Sequence, residues 1–335
     1  MDLEELQKID SKKMYQIYDK WPELAKECFE RDSPKIDVKG IDHVVLAGMG
    51  GSGTINDIIS SILSKSNIHV NVVKGYLLPK TVDENTLVVS TSVSGNTQET
   101  LTILQNANRI SSKFIAFSSG GMVMEYSKKN NIPFYKIPQI HSPRASLPNF
   151  LYSILNILQD IIPITRDDVK QSIIELKKTR NLIYSKNLNE KNPSLLLAQW
   201  IKGIPIIYYP AGLLATAIRF KNSLQENAKL HAVSEDVIEA CHNGIVSWEK
   251  TSNAQPILIE GVDDYIKTKE RWNILKEYFN ERQIQFKEIH SVKGDILSKI
   301  MNLIYLLDYS SLYHAVSCKI DPTPVNSIDF IKKHL

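Results

Sequence analysis

Two short loops rich in glycine and hydroxyl side chains have the residue types and spacing of an anion-binding site. Residues 48–54 follow the apolar run His43–Ala47, and residues 90–97 follow the apolar run 87–89. Each loop opens into a helical pattern. Glycine lets the backbone approach a ligand closely, and hydroxyl and amide groups at a helix N-terminus attract an anion. Together the loops predict a phosphate held by serine and threonine hydroxyls, and hence a sugar phosphate as ligand.

The first loop also matches the dinucleotide-binding pattern G-x-G-x-x-G from Gly48 to Gly53, which alone is a weak signal. That pattern expects an acidic residue about 20 positions further on. The next strand-like run, residues 70–74, has the sequence Val-Asn-Val-Val-Lys and ends without an acid. The loop is not a P-loop either, because no lysine precedes a hydroxyl residue there. The alternative to a phosphate-binding site is that each loop is an ordinary tight turn without a ligand. Two hydroxyl-rich loops fit that alternative less well than a single one would.

The composition excludes several classes of function. A length of 335 residues allows one large or two medium domains, and a net charge of +3 is too small to indicate a nucleic-acid partner. Cys28, Cys241 and Cys318 are far apart, which argues against a disulfide framework and for a reducing compartment. The charged N-terminus is no secretory signal, and no uncharged apolar run reaches about 18 residues. We therefore expect a cytoplasmic protein with no membrane span.

A metal site is also not expected. The eight histidines show no H-x-H, H-x-x-x-H or paired Cys/His spacing, so a metal site has no support in the sequence.

Strand and helix patterns alternate along both halves of the chain, which indicates an α/β fold with parallel sheets covered on both faces. One or two lead-in helices precede the first unit, and a short helix at 325–335 ends the chain. We expect a first domain at 1–150 and a second, with its connector helices, at 151–335. The predicted strands are 43–47, 70–73, 86–91, 114–118, 133–137, 204–210, 257–260 and 286–291, and the predicted helices are 53–64, 97–109, 121–130, 148–162, 166–186, 213–230, 266–282 and 295–315.

Glu226 is the candidate general base. It lies in a helical segment whose inward face can be formed by Ala217, Leu224 and Ala228, and it is flanked by Gln225 and an asparagine. A carboxylate among amides and small residues suits the removal of a carbon-bound proton. The alternative is a solvated helix glutamate with no chemical role.

Three further side chains could assist. His242, in a loop after an acidic stretch, could shuttle protons near neutral pH, and Arg144 could stabilise a developing oxyanion. In the terminal helix, Lys332 lies at the edge of an apolar stripe, whereas Lys333 is on the more exposed side. The stripe consists of Ile328, Ile331 and Leu335. The alternatives are a surface histidine, a surface arginine and a helix that only caps the fold.

Taken in order, these segments resemble the archaeal-type bifunctional phosphoglucose/phosphomannose isomerases, which are built from two flavodoxin-like sugar-isomerase (SIS) domains. S-G-N-T alone is found in SIS domains generally, and the later segments narrow the resemblance to the bifunctional subgroup. The segments are G-M-G-G-S-G at 48–53, S-V-S-G-N-T at 92–97, P-R-A at 143–145, E-N-A-K at 226–229, H-N at 242–243 and D-P-T-P-V at 321–325.

The resemblance implies a role for each candidate residue and no cofactor or metal. Glu226 would move a proton between C1 and C2 of a hexose 6-phosphate, and Arg144 would stabilise the cis-enediolate. His242 would assist ring opening from the partner subunit of a homodimer, and Lys332, with Lys333 as competitor, would contact the sugar. The residues implied to hold the phosphate are Gly51, Ser52, Ser92, Ser94 and Thr97.

Two alternatives remain beside this interpretation. Another SIS-domain sugar-phosphate isomerase is the first, and a non-catalytic sugar-phosphate sensor is the second. Sensors of that kind have a DNA-binding helix-turn-helix, for which the roughly 40 residues before His43 are too short and too acidic. Where many relatives have tyrosine between the serines of S-Y-S-G-N-T, this chain has Val93, which we expect to point away from the phosphate.

Overall fold

A computed structural model describes residues 1–107 and 109–334. In chain order its helices are α1 Leu3–Ile9, α2 Met14–Tyr18, α3 Trp21–Glu30, α4 Gly50–Leu63, α5 Gln98–Leu104, α6 Gly121–Lys129, α7 Leu147–Ile157, α8 Arg166–Ile183, α9 Pro193–Trp200, α10 Leu214–Ala228, α11 Val237–Ala240, α12 Ile266–Glu281, α13 Ile296–Ser317 and α14 Asn326–Lys333. The strands are β1 His43–Ala47, β2 His69–Val73, β3 Thr86–Ser92, β4 Lys113–Ser118, β5 Phe134–Lys136, β6 Ile204–Tyr209, β7 Val233–Asp236, β8 Ala254–Glu260 and β9 Lys287–His290.

The chain separates into two compact units. One unit, here called the N-sheet unit, is Lys20–Ile173, and the other, the C-sheet unit, is Met1–Asp19 together with Ile174–Leu335. The N-sheet unit extends beyond residue 150 because α7 packs against α3 within it. The domain division at residue 150 stays a prediction.

The N-sheet unit is built on a five-stranded parallel sheet with the strand order β2-β1-β3-β4-β5. Every residue of β1 and of β3 is buried. Burial at every position, and not at alternate ones, is expected when helices cover both faces of a parallel sheet. The predicted parallel α/β architecture is confirmed for this unit.

The strand order places the first two loops side by side. The chain passes from β1 to β2 on one side and then crosses to β3 on the other, so β1 and β3 are neighbours that lead into different crossovers. Ala47 at the end of β1 pairs with Ser90 of β3. Ligands of open α/β sheets bind at the carboxyl ends of strands where the order reverses. Both hydroxyl-rich loops begin at that edge.

The C-sheet unit contains a four-stranded parallel sheet in the order β7-β6-β8-β9. Numbered within each unit, this order repeats that of the first four strands of the N-sheet, as expected of a duplicated doubly wound unit. Strand β7 was missing from the sequence-based prediction. It is an edge strand of four residues, Val-Ser-Glu-Asp, whose single valine is 48% exposed. Backbone pairing to β6, and not side-chain burial, defines it.

Several helices differ from the prediction. The amino-terminal segment forms three helices instead of one or two, and the connector contains an additional helix, α9. The N-cap of α9 is Asn192, which accepts a hydrogen bond from the backbone N–H of Leu195 at 3.0 Å, and Pro193 follows it. Asparagine at the N-cap followed by proline is a known helix start signal, although α9 is not among the predicted helices. Helix α5 ends at Leu104 instead of at residue 109.

The terminal helix α14 is present, but its apolar stripe is not buried in the chain. Ile328 and Ile331 are 40% and 58% exposed, and none of the residues of α14 is buried. Leu335, the third residue of the predicted stripe, lies outside the described residues.

Candidate active site

The first loop turns sharply from β1 into α4. Gly48 has no room for a side chain, since a Cβ there would lie 2.8 Å from the carbonyl oxygen of Thr91. Gly51 faces the segment before α7, where a Cβ would lie 3.4 Å from the Pro143 carbonyl and 3.7 Å from the backbone nitrogen of Arg144. The first loop therefore meets both the second loop and the segment that contains Arg144.

The second loop is held by its own hydroxyl groups. The Oγ of Ser92 lies 2.9 Å from the Oγ1 of Thr97 and accepts a hydrogen bond from the backbone N–H of Gly95 at 3.1 Å. Thr97 is the N-cap of α5 but makes no side-chain capping bond to that helix. Ser94 and Thr97 are half-buried, whereas Ser92 is fully buried.

A direct hydrogen bond joins the two loops. The backbone N–H of Val93 donates to the Oγ of Ser52 at 3.1 Å, and Ser52 itself is buried. A serine hydroxyl that accepts a bond in this way still has its own proton to donate. The side chain of Val93 is 1% exposed, so a valine at this position packs in the interior.

A third loop, residues 119–120, connects β4 to α6 and was not among the predicted site segments. Asn96 accepts a hydrogen bond through its Oδ1 from the backbone N–H of Met122 at 3.1 Å, in the first turn of α6. Gly95 approaches the third loop so closely that a Cβ would lie 1.9 Å from the Gly120 carbonyl oxygen. The asparagine and glycine of S-G-N-T thus align the second loop with the third.

Arg144 is buried, with only 4% of the residue exposed, so the alternative of a surface arginine is wrong. It follows Pro143 and precedes the wholly buried helix α7. A buried guanidinium keeps its charge, so this segment brings a positive group to the interior of the N-sheet unit.

Glu226 lies near the C-terminal end of α10 and is half-buried. The predicted inward face is confirmed, since Ala217, Leu224 and Ala228 are all buried. One residue after Glu226, Asn227 donates a hydrogen bond to the Oγ of Ser311 on α13 at 2.8 Å. This bond fixes the backbone next to Glu226 against α13.

A buried ion pair fixes the preceding turns of α10. Arg219 donates to both carboxylate oxygens of Asp308 on α13, and Ser223 donates to the same carboxylate at 2.6 Å. Burial alone would lower the pKa of Arg219, but the Asp308 carboxylate, with further contributions from Tyr18 and Glu226, holds this pKa above its ordinary value. Glu226 is seven positions after Arg219, hence on the same face of α10.

His242 is exposed and lies in the turn after α11. Its backbone N–H donates to the Glu239 carbonyl at 2.9 Å, and the next residue, Asn243, donates through its side chain to the Glu239 carboxylate at 2.8 Å. Glu235 lies against the same turn, where a Cβ on Gly244 would be 2.6 Å from its carboxylate oxygens. Burial, and secondarily the charge of Glu239, raises the pKa of Glu235.

The two lysines of α14 are both exposed, and their exposure does not distinguish Lys332 from Lys333. Of the predicted site residues, the N-sheet unit contains the phosphate-binding set and Arg144. The C-sheet unit contains Glu226, His242 and Lys332. The residues within each unit that the structure brings together are the two loops with the Arg144 segment, and α10 with α13.

Over residues 1–107 and 109–334, no group of three or more His, Cys, Asp or Glu side chains is arranged to hold a metal ion. In the same residues, no helix has the length and apolar character needed to cross a bilayer.

Comparison with known proteins identifies relatives for almost the whole chain. A bifunctional phosphoglucose/phosphomannose isomerase of Caldicellulosiruptor bescii is 32% identical over 330 residues, which cover 94% of this chain and 96% of the relative. A protein of the same name from Aquifex aeolicus is 30% identical and covers 92% and 94%. A D-glucosamine-6-phosphate 4-epimerase of Sulfolobus acidocaldarius is 29% identical and covers 73% and 77%.

Residues 190–335 match the family described as the bacterial phospho-glucose isomerase C-terminal SIS domain. A crystal structure of a hypothetical protein from Thermus thermophilus has the same fold, with a TM-score of 0.76 at 13% identity over 98% of this chain and 92% of the other. The resemblance found in the sequence motifs is confirmed by these matches. This chain belongs to the family of bifunctional phosphoglucose/phosphomannose isomerases.

Proposed function

We propose that this protein is an aldose–ketose isomerase that interconverts fructose 6-phosphate with glucose 6-phosphate and with mannose 6-phosphate. The observation that carries the proposal is the contact between two hydroxyl-rich loops at the carboxyl ends of β1 and β3, next to the Arg144 segment. The names of the full-length relatives support the same substrates.

The phosphate is assigned to Gly51, Ser52, Ser92, Ser94 and Thr97. The support for this set is local. Helices α4 and α5 begin at these loops, and their N-termini present backbone N–H groups and a partial positive charge. Among the hydroxyl side chains of this set, those of Ser94 and Thr97 are more accessible, whereas Ser92 holds Thr97 and the Gly95 N–H in place.

Glu226 is assigned as the base that moves the proton between C1 and C2. A carboxylate takes the proton from C2 of the aldose, which gives a cis-enediol, and returns it to C1 to give the ketose. Glucose 6-phosphate and mannose 6-phosphate differ only at C2, so both give the same enediol. The firm attachment of α10 to α13 supports this role, because a general base must be held within hydrogen-bond distance of its proton.

Arg144 is assigned to the oxygen that becomes negative as the enediolate forms. A preorganised cation shielded from water stabilises a developing charge more than an exposed one does. The burial of Arg144 supports this role.

His242 and Lys332 are assigned to ring opening and to sugar binding, in a homodimer in which His242 acts on the substrate of the partner subunit. The exposed position of the His242 turn and the exposed apolar positions of α14 support an assembly, since both are open to a second copy. We also propose a cytoplasmic location and a reaction that needs no metal.

The test is incubation of the purified protein with fructose 6-phosphate in D2O. Both aldose phosphates should form with deuterium at C2, because the proton that Glu226 removes from C1 exchanges with solvent before one is returned to C2, whereas a direct hydride shift brings in no solvent deuterium. Activity should survive EDTA and dialysis. Loss of activity to EDTA and recovery with zinc would contradict the metal-free reaction.

Because one relative is a named 4-epimerase, glucosamine 6-phosphate is the control substrate, and its exclusive turnover would contradict the proposal.

A further inference from the structure

Lys229, the last residue of E-N-A-K, joins two segments of the C-sheet unit. Its ammonium group donates to the backbone carbonyl of Glu226 at 2.6 Å and to the carbonyl of Pro324 at 2.7 Å. A longer contact of 3.4 Å reaches the carbonyl of Asp321. One side chain thus connects the residue assigned as base to the turn that leads into α14.

The backbone of Lys229 is in a conformation that a lysine rarely adopts. Its φ of +54° and ψ of +30° lie in the left-handed region, at the position that ends α10. Glycine is the usual residue there because it has no Cβ to clash. Strained residues of this kind persist where surrounding interactions determine them, and they cluster at functional sites. Here the ammonium contacts provide a reason for a lysine to occupy the position.

Helix α14 lies on the surface of the C-sheet unit. All eight of its residues are exposed, and its start is separated from Pro324 only by Val325. Upstream, Ser11 donates to the Asp321 carboxylate at 2.5 Å. The turn at 321–324 is therefore where α14 is joined to the packed part of the unit, and Lys229 is bonded to both ends of that turn.

We propose that Lys229 is a positioning residue that holds Glu226 and the lysine-bearing helix α14 in one fixed relation. The inference rests on the proposed function for its catalytic consequence, but not for its structural one. Removal of the ammonium group releases the start of α14 and the Glu226 carbonyl together. The side chain of Lys229 contacts neither substrate nor the reacting atoms in this scheme.

The structural test is amide hydrogen exchange over residues 326–333. Lys229→Met and Lys229→Gly should both accelerate exchange in α14 by about tenfold or more, because the charge-assisted hydrogen bonds to the turn before α14 are lost. Lys267→Met, which removes an exposed lysine paired with Glu270 on α12, is the matched control and should leave α14 unchanged. Unchanged exchange in both Lys229 variants would overturn the proposal whatever the enzyme activity is.

The catalytic test compares kcat/KM with the melting temperature. Lys229→Gly relieves the left-handed strain and should melt above Lys229→Met, yet both should lose activity alike, by roughly tenfold. Lys229→Arg keeps a cationic donor and should restore most of the activity. If activity followed the melting temperature across these variants, the role would be structural and the positioning role would be wrong.

A double-variant comparison identifies what is positioned. In a Lys332→Ala background, Lys229→Met should cost less than it does in the wild type, because the two changes act through one helix. Full additivity would overturn the link between Lys229 and Lys332. If the wild-type protein itself failed to convert fructose 6-phosphate, the proposed function would be wrong. Hydrogen exchange would still test whether Lys229 connects α10 to α14.

Discussion

The hydroxyl groups of the second loop differ in what they can offer a ligand. Ser92 is fully buried and bonded within the loop, whereas Ser94 and Thr97 are half-buried. Ser94→Ala and Thr97→Ala should each weaken phosphate binding by roughly 1.5–3 kcal/mol, the value of a hydrogen bond to a charged group. Inhibition by inorganic phosphate and the KM for fructose 6-phosphate measure the effect. Thr97→Ser keeps the hydroxyl and is the control. Equal inhibition of all variants would place the phosphate elsewhere.

The proposed role of Glu226 as the base can be tested by replacing its carboxylate with an amide of nearly the same shape. Glu226→Gln keeps the shape and removes the base, so kcat should fall by about 10²–10⁴-fold with both hexose phosphates. Substrate affinity should change little, since Glu226 is not among the residues proposed to bind the phosphate. Glu277→Gln, an exposed change on α12, is the matched control. A normal kcat in Glu226→Gln would remove the residue from the mechanism.

At the scale of elements, the position of the second loop depends on Gly95. Its φ is +74°, and an added Cβ would lie 1.9 Å from the Gly120 carbonyl, so Gly95→Ala must displace the backbone. Gly40 is a useful control because its φ is +76° but a Cβ there meets nothing within 4 Å. Gly40→Ala should cost only the left-handed strain, about 1–2 kcal/mol.

Gly95→Ala should therefore lower the melting temperature more than Gly40→Ala and also weaken inhibition by phosphate. Equal effects of the two changes on both measurements would mean that the contact between the second and third loops is unimportant.

The carboxyl group of Glu235, in β7 next to α11, should make the stability of the fold depend on pH. Burial and the nearby Glu239 raise the pKa of Glu235 above 4.5. A carboxyl group with a higher pKa in the folded state destabilises the fold as pH rises through the interval from the unfolded to the folded pKa. Glu235→Gln should therefore raise the melting temperature at pH 7, and this gain should disappear below pH 4.5. A gain that is larger in acid would contradict the assignment. Glu239→Gln should give a smaller gain, because repulsion is the lesser cause.

At the scale of the whole molecule, the candidate residues are divided between two compact units, and the proposed homodimer shares its sites. Mixing Glu226→Gln subunits with His242→Ala subunits should restore one native site in each heterodimer, because each chain supplies what the other lacks. Activity measured after verified subunit exchange is the readout. Demonstrated exchange without recovered activity would place both residues in one chain's site or remove one from the mechanism. Each variant mixed with itself is the control.

Local patterns were sufficient for most of the framework. Strands β1, β3 and β4 and helices α10, α12 and α13 lie within a few residues of their predicted bounds. Continuous short apolar runs mark the buried strands, and longer apolar or amphipathic patterns mark the helices. The edge strand β7 was missed because backbone pairing to β6 forms it without side-chain burial. The short helix α9 was missed although its Asn-Pro start is visible in the sequence.

The sequence by itself determined the α/β class, the duplicated unit, the two hydroxyl-rich loops and the family, since each depends on residue types and short spacings. Only the tertiary structure decided which distant residues meet. The bond from Val93 to Ser52 follows from the neighbouring positions of β1 and β3 in the sheet. The approach of Gly51 to the Arg144 segment and the burial of Arg144 depend on how the segment before α7 packs. Long-range contacts of this kind carry no local signal, because the separations along the chain are unrelated to helix or strand periods. The contacts of Lys229 with residues almost 100 positions away became visible for the same reason.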